Sequence, residues 1–236
     1  MQYFLLTRPQ EDSERLVPFL EMKGYTPIIE PLLHPVYLKD FILTPPELQA
    51  IIVTSKHALK SLEASQKLAL FEKTPLICVG EKTAELAKNL GIETVLGKCE
   101  NGDQLLSWIQ KNVIPELGSL LYLHGDVVRQ DLKSAISPQG YRVQAQKIYE
   151  MKESQALSPK VLDLFHRKVF QGIAFFSPRT AKIFVKISNK FNLYEKFSTV
   201  HAFCLSQSIA NEIKSMPWQG VEITNSATEK SLMELL

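Results

Sequence analysis

Ile52-Val53-Thr54-Ser55-Lys56-His57-Ala58 is an apolar run that ends in two hydroxyl residues and opens into a helix. Phe175-Phe176-Ser177-Pro178-Arg179-Thr180 repeats that pattern roughly half a chain length later. Two further pairs follow at nearly the same separation. Cys78-Val79-Gly80-Glu81-Lys82-Thr83-Ala84 matches Cys204-Leu205-Ser206-Gln207-Ser208-Ile209-Ala210, and Asn101-Gly102-Asp103-Gln104-Leu105-Leu106 matches Thr228-Glu229-Lys230-Ser231-Leu232-Met233. A fixed separation across three pairs marks an internal duplication. The remaining piece of each copy is a strand and helix closed by glycine: the N-terminal stretch ending Lys23-Gly24-Tyr25-Thr26, and Leu120–Arg142, ending Gln139-Gly140-Tyr141-Arg142.

The order of these pieces sets the domain plan. One domain is complete in the middle of the chain, at about 46–141. The other must combine residues 1–31 with 155–236, so the chain crosses out and back through connectors 32–45 and 142–154. Alternating apolar residues in both connectors (Leu33, Pro35, Tyr37; Val143, Ala145, Tyr149) predict a two-stranded antiparallel linker. Tyr3–Thr7, Ala50–Thr54, Leu76–Val79, Leu120–Leu123, Ile173–Phe176 and Val200–Leu205 read as buried strands. Between them lie amphipathic stretches such as Asp12–Lys23, Lys82–Leu90, Gly102–Lys111 and Ser208–Ser215. Alternating strand and helix predicts an α/β fold: two similar parallel-sheet domains of the flavodoxin or Rossmann-like kind, joined by the linker.

Composition narrows the function classes. Lys+Arg 27 against Asp+Glu 25 leaves a net charge of +2, which argues against nucleic acid or an anionic membrane surface as partner. No apolar run approaches the roughly 20 residues that span a bilayer, and the first residues read as a strand, not a signal peptide. Cys78, Cys99 and Cys204 are widely spaced and form no CxxC, which predicts free thiols in a reducing cytoplasm and no metal site.

Parallel sheets bind ligands beyond the carboxyl ends of their strands. Those ends here carry Thr7-Arg8, Thr54-Ser55, Gly80-Glu81-Lys82-Thr83, His124-Gly125-Asp126, Ser177-Pro178 and Ser206-Gln207-Ser208. Helix starts expose unpaired N–H groups and a partial positive charge, which suit carboxylates or phosphates. Each position also suits a plain helix N-cap. As a set the positions favour an anionic ligand, with Arg8, Lys56, Lys82, Arg129 and Arg179 as possible carboxylate partners. Asp126 reads as a helix cap, and Tyr149 as a candidate proton donor. GxGxxG, GxxxxGK[ST], HExxH and GxSxG are all missing. A hinged two-lobed binding protein for a small anion shares these features.

The order and spacing of Leu6-Thr7-Arg8-Pro9, Val53-Thr54-Ser55, Val79-Gly80 with Thr83-Ala84, Gly125-Asp126-Val127-Val128-Arg129, Ile148-Tyr149, Phe176-Ser177-Pro178 and Cys204-Leu205-Ser206 resemble the uroporphyrinogen-III synthase family over essentially the whole chain. The resemblance implies two α/β domains on a two-stranded linker, with the substrate in the cleft between them. It implies cyclisation of hydroxymethylbilane to uroporphyrinogen III, with inversion of ring D, loss of water and no cofactor. Carried over by position, Thr54, Ser55, Gly80, Thr83, Ser177 and Ser206 line the cleft. Tyr149 takes the place of the tyrosine that assists departure of the hydroxyl. Reading residues and resemblance together, the expected substrate contacts also include Thr7, Arg8, Lys56, Lys82, Gly125, Arg129 and Gln207. A monomer with transient contact to hydroxymethylbilane synthase is expected.

Overall fold

Short Val-, Ile-, Leu- and Phe-rich runs form the inner strands of two parallel sheets, because only strands covered by helices on both faces tolerate such uniform apolarity. The computed structural model describes residues 2–41, 47–71, 73–92, 94–127 and 131–236. The chain begins with β1 (Gln2–Leu6), α1 (Gln10–Glu14), α2 (Val17–Met22), β2 (Tyr25–Ile29) and β3 (Leu33–Tyr37). It continues through β4 (Leu48–Val53), α3 (Lys56–Ala64), β5 (Leu76–Val79), α4 (Glu81–Asn89), β6 (Val95–Cys99), α5 (Gly102–Asn112), β7 (Ser119–His124), α6 (Leu132–Ile136) and β8 (Val143–Lys147). The return comprises β9 (Tyr149–Glu153), α7 (Pro159–His166), β10 (Phe170–Phe175), α8 (Pro178–Lys190), β11 (His201–Cys204), α9 (Gln207–Ile213), β12 (Gly220–Ile223) and α10 (Glu229–Glu234).

The chain divides into two compact units, one made of Met1–His34 with Lys152–Leu236 and the other of Pro35–Met151. The discontinuous unit holds a sheet of order β12-β11-β10-β1-β2, and the continuous unit one of order β6-β5-β4-β7-β8. The two orders are the same once β10, β11, β12, β1 and β2 are set against β4, β5, β6, β7 and β8, as the duplicated sequence requires. β3 and β9 pair in a separate antiparallel two-stranded sheet.

Each sheet buries both faces. In the continuous unit Ile51, Val53 and Cys78 pack on one side with Leu59 and Ala87. Ile52, Ile77 and Tyr122 pack on the other with Leu105 and Ile136. This alternation is the period of two that a strand imposes. In the discontinuous unit one face is rich in aromatics, with Phe165, Phe175, Phe184 and Phe197 around Leu5 and Ile173. The other holds Phe4, Leu6, Ala174 and Phe203.

Two expectations change. The alternation in the sequence places Val143–Lys147 in the returning connector, but it joins the second sheet as β8, with Leu120 opposite Val143 and Leu123 opposite Gln146. The reason is that β7 would otherwise leave a row of unpaired N–H groups: Leu120 N–H, for one, donates to Arg142 O at 2.8 Å. The amphipathic stretch 12–23 is not a single helix. It breaks after Glu14, and Pro18 sits in the first turn of α2, where its missing N–H costs nothing. Among the described residues no helix is long and apolar enough to cross a membrane.

Candidate functional site

All strands of the continuous unit's sheet are parallel, so β4, β5, β6 and β7 deliver their carboxyl ends to one edge. There a cavity of about 470 Å³ is lined by Thr54 and Ser55 after β4, Val79 at the end of β5, and Asn101 and Gly102 after β6. Tyr122 and His124 line it from β7, Gly125 from just after that strand, and Tyr149 from β9. Two helices begin at this cavity. Ser55 caps α3 by accepting the His57 N–H at 3.3 Å, and Asn101 caps α5 by accepting the Gln104 N–H at 3.0 Å. The remaining first-turn N–H groups bring the partial positive charge that draws anions.

Tyr149 is 9% exposed and held on several sides. Just before it, Ile148 N–H donates to His124 O at 2.9 Å, and Ile148 O accepts Leu38 N–H at 2.9 Å together with the Ser61 hydroxyl. Just after it, Asp126 Oδ1 accepts Met151 N–H at 3.0 Å. Asp126 therefore ties the loop after β7 to β9. Asp131 caps α6, through Ser134 N–H at 3.1 Å. The Tyr149 ring lies 5.7 Å from that of His57, which in turn bonds Tyr37 Oη through Nδ1 at 3.2 Å. Burial pushes the Tyr149 phenol above its ordinary range and a hydrogen bond from Ser55 draws it back, while nearby Tyr122 and Asp126 add to the rise. At neutral pH it carries a proton to give.

Thr54, Ser55, Gly125 and Tyr149 are thus brought together as a site, while other expected residues of this unit are not part of the lining. Thr83 is 5% exposed, and its counterpart Ile209 is 2% exposed, so the position serves the helix–sheet core. Lys82 is exposed, and Lys56 is half-buried in the first turn of α3. Gly80 has φ +85°, a left-handed value that suits glycine. Its counterpart Ser206 has φ −164°, so the two copies enter their helices differently. Arg129 lies outside the described residues. The sequence reading overlooked Tyr122, Asn101 and Gly102 as lining residues. The end of β6 was the available signal for the last two, but that strand itself was not recognised.

In the discontinuous unit, Thr7 is 1% exposed and its hydroxyl donates to Ala174 O at 3.3 Å, so the side chain closes the sheet. Arg8 pairs with Glu229, lies 3.6 Å from Asp12, and stacks 4.4 Å from the Phe176 ring centroid. Ser177 caps α8 by accepting Thr180 N–H at 3.2 Å. Ser206 makes no side-chain cap to α9; its hydroxyl meets Ser208 Oγ at 2.9 Å. Gln207 is exposed and donates to Asn211 at 3.1 Å. Among the described residues no group of three His, Cys, Asp or Glu is placed to hold a metal ion.

Fold and site define a duplicated α/β protein whose strand ends and helix N-termini suit an anionic small molecule. The family model described as uroporphyrinogen-III synthase HemD matches residues 14–234, and the chain belongs to that family, cyclising lyases of haem biosynthesis. In fold it is similar to uroporphyrinogen-III synthetase from Helicobacter pylori, at 20% identity and TM-score 0.68, covering 100% of this chain and 98% of that one. It is also similar to a mutant uroporphyrinogen III synthase from Thermus thermophilus, at 14% identity and TM-score 0.51, covering 100% and 96%. No curated protein sequence matches the chain.

Proposed function

We propose that the cavity of the continuous unit receives the hydroxymethyl-bearing end of hydroxymethylbilane, with Tyr149 as proton donor to the departing hydroxyl. The observation that carries this reading is a buried, protonated phenol beside two helix N-termini at one strand-end cavity. The substrate's carboxylates are met by first-turn N–H groups, with Thr54 and Ser55 beside them. Ser177 and Ser206 in the other unit are proposed to meet further carboxylates.

Loss of the hydroxyl as water leaves an electrophilic azafulvene. Its attack on the substituted carbon of ring D gives a spiro intermediate, which fragments and recloses with the ring inverted. Uncatalysed closure yields the uninverted isomer, so the protein's main task is to hold one conformation. Positioning of reacting groups supplies up to about 7–11 kcal/mol in well-oriented cases. Free, buried cysteines accord with a reducing cytoplasm as the setting. We propose a monomer that meets hydroxymethylbilane synthase transiently, since that enzyme makes the unstable substrate.

The test supplies hydroxymethylbilane and resolves the uroporphyrin isomers after oxidation. Isomer III is expected; isomer I alone at the uncatalysed rate would overturn the reading.

A further inference from the structure

Two phenols stand at the cavity, not one. Tyr122 is 5% exposed and lines the same space as Tyr149. It packs with the residues on one face of the sheet, and Tyr149 with those on the other. Both reach the carboxyl edge. Consecutive hydroxyls attend them: Thr54 Oγ1 lies 3.4 Å from Tyr122 Oη, and Ser55 bonds the Tyr149 phenol.

The environment of Tyr122 differs from that of a purely structural tyrosine. Tyr141 is also buried, and its hydroxyl reaches two backbone carbonyls, Ile109 O at 3.5 Å and Val113 O at 3.3 Å. Tyr122 Oη instead meets a hydroxyl at the long end of hydrogen-bond range. A phenol donates one hydrogen bond and accepts others, so it retains capacity for a ligand. Its ring lies 5.2 Å from that of His124, whose Nδ1 is 2.7 Å from Gly125 O. That contact holds the imidazole with Nδ1 as donor and keeps the wall beside Tyr122 fixed.

We propose that Tyr122 is a second proton donor for departure of the substrate hydroxyl, a minor one beside Tyr149 that takes over when Tyr149 is removed. The inference rests on the Tyr149 reading of the same cavity. In the step, the phenolic O–H bond breaks and its proton joins the hydroxyl oxygen. The carbon–oxygen bond breaks with its electron pair on oxygen, which leaves as water. The pyrrole nitrogen lone pair satisfies the carbon. The phenolate regains a proton when ring closure releases one from the newly bonded pyrrole carbon.

The test compares Tyr149→Phe, Tyr122→Phe and the double variant in the full chain, measuring kcat and KM for isomer III, melting temperature and affinity for uroporphyrinogen III. General acids contribute about 100- to 10,000-fold, and a shared role makes losses non-additive. The expected kcat losses are therefore about tenfold for Tyr149→Phe, about twofold for Tyr122→Phe and at least about 100-fold for the pair. KM, melting and product affinity should stay close to wild type throughout. If the double variant loses no more than the product of the singles, Tyr122 is not a donor and the Tyr149 reading stands. If all three variants keep wild-type kcat, both readings fall. A Tyr122→Phe loss accompanied by weaker product binding and lower melting would assign Tyr122 to packing and overturn the inference.

Discussion

A methyl group on Gly125 would stand 2.5 Å from Cε2, 2.6 Å from Cζ and 2.9 Å from Oη of Tyr149, so the bare glycine makes the hollow in which the phenol rests. Contacts this short force something to move, and a phenol ring has little freedom to bend away. Gly125→Ala should therefore displace Tyr149 and lower kcat by about tenfold, near the value expected for Tyr149→Phe. Combining the two should cost no more than either alone, because both remove the same proton donor. Fully multiplicative losses would show that Gly125 acts by another route.

Ser177 and Ser206 occupy related helix starts but only the first caps its helix. Ser177→Ala should cost about 1 kcal/mol of stability, seen as a lower denaturant midpoint at unchanged slope. Ser206→Ala should leave the midpoint unchanged and raise KM if its hydroxyl meets substrate. A loss of stability without a KM change at Ser206 would return it to a structural role.

Arg8 is engaged by Glu229, Asp12 and the Phe176 ring. Arg8→Gln should therefore lower stability by about 1 kcal/mol, the range of a part-exposed ion pair, and be softened by salt. Its KM should remain within about twofold of wild type, since an arginine already spent on ion pairing has little to offer a carboxylate. A large KM increase with unchanged melting would restore Arg8 as a binding residue.

Burial pushes the Cys78 and Cys204 thiols up to about 12, with Cys99 adding to the rise at Cys78. The unfolded chain loses these protons near its ordinary value of 9.0. Between those limits the folded state holds protons that the unfolded state has released, so stability is intact below pH 9 and declines as pH climbs towards 12. The slope reaches at most about 1.4 kcal/mol per pH unit for each thiol. Melting curves from pH 8 to 11 should fall more steeply for the wild type than for Cys78→Ala/Cys204→Ala. Parallel curves would show that other groups govern alkaline unfolding.

The limits of the sequence reading follow the sheets. Its six strands are the inner ones, β1, β4, β5, β7, β10 and β11, whose central residues are buried on both faces and therefore mostly apolar. The sheet edges β2, β6 and β12 are missed, and β8 is expected as a strand but placed in the linker. Pro27 lies in β2, Gly97 and Lys98 in β6, Gln144 and Gln146 in β8, and Glu222 in β12. Such residues are what edges tolerate; they erase the strand signal of β2, β6 and β12, and in β8 they leave a half-polar alternation that reads as linker. The duplication was legible because matching strand–helix turns need matching small residues. Of the cavity lining, Thr54, Ser55 and Gly125 were legible at the ends of inner strands, and Tyr149 at the end of the returning connector. Tyr122 was hidden inside Leu120–Leu123, where an aromatic residue reads as core, and nothing in the pattern tells that its hydroxyl emerges at the edge. Thr83 shows the converse, a polar residue at a strand end that the fold places on a buried helix face.

The placement of β1 between β10 and β2 has a consequence for synthesis. The continuous unit has all its strands once residue 151 is made, and it can close on itself at the ribosome. The strand Gln2–Leu6 pairs with β10 only after Phe170–Phe175 has emerged. Until then one side of an apolar ribbon is open, a state in which nascent chains are vulnerable to wrong pairing. Closure of this sheet therefore waits on chain made after the continuous unit is whole.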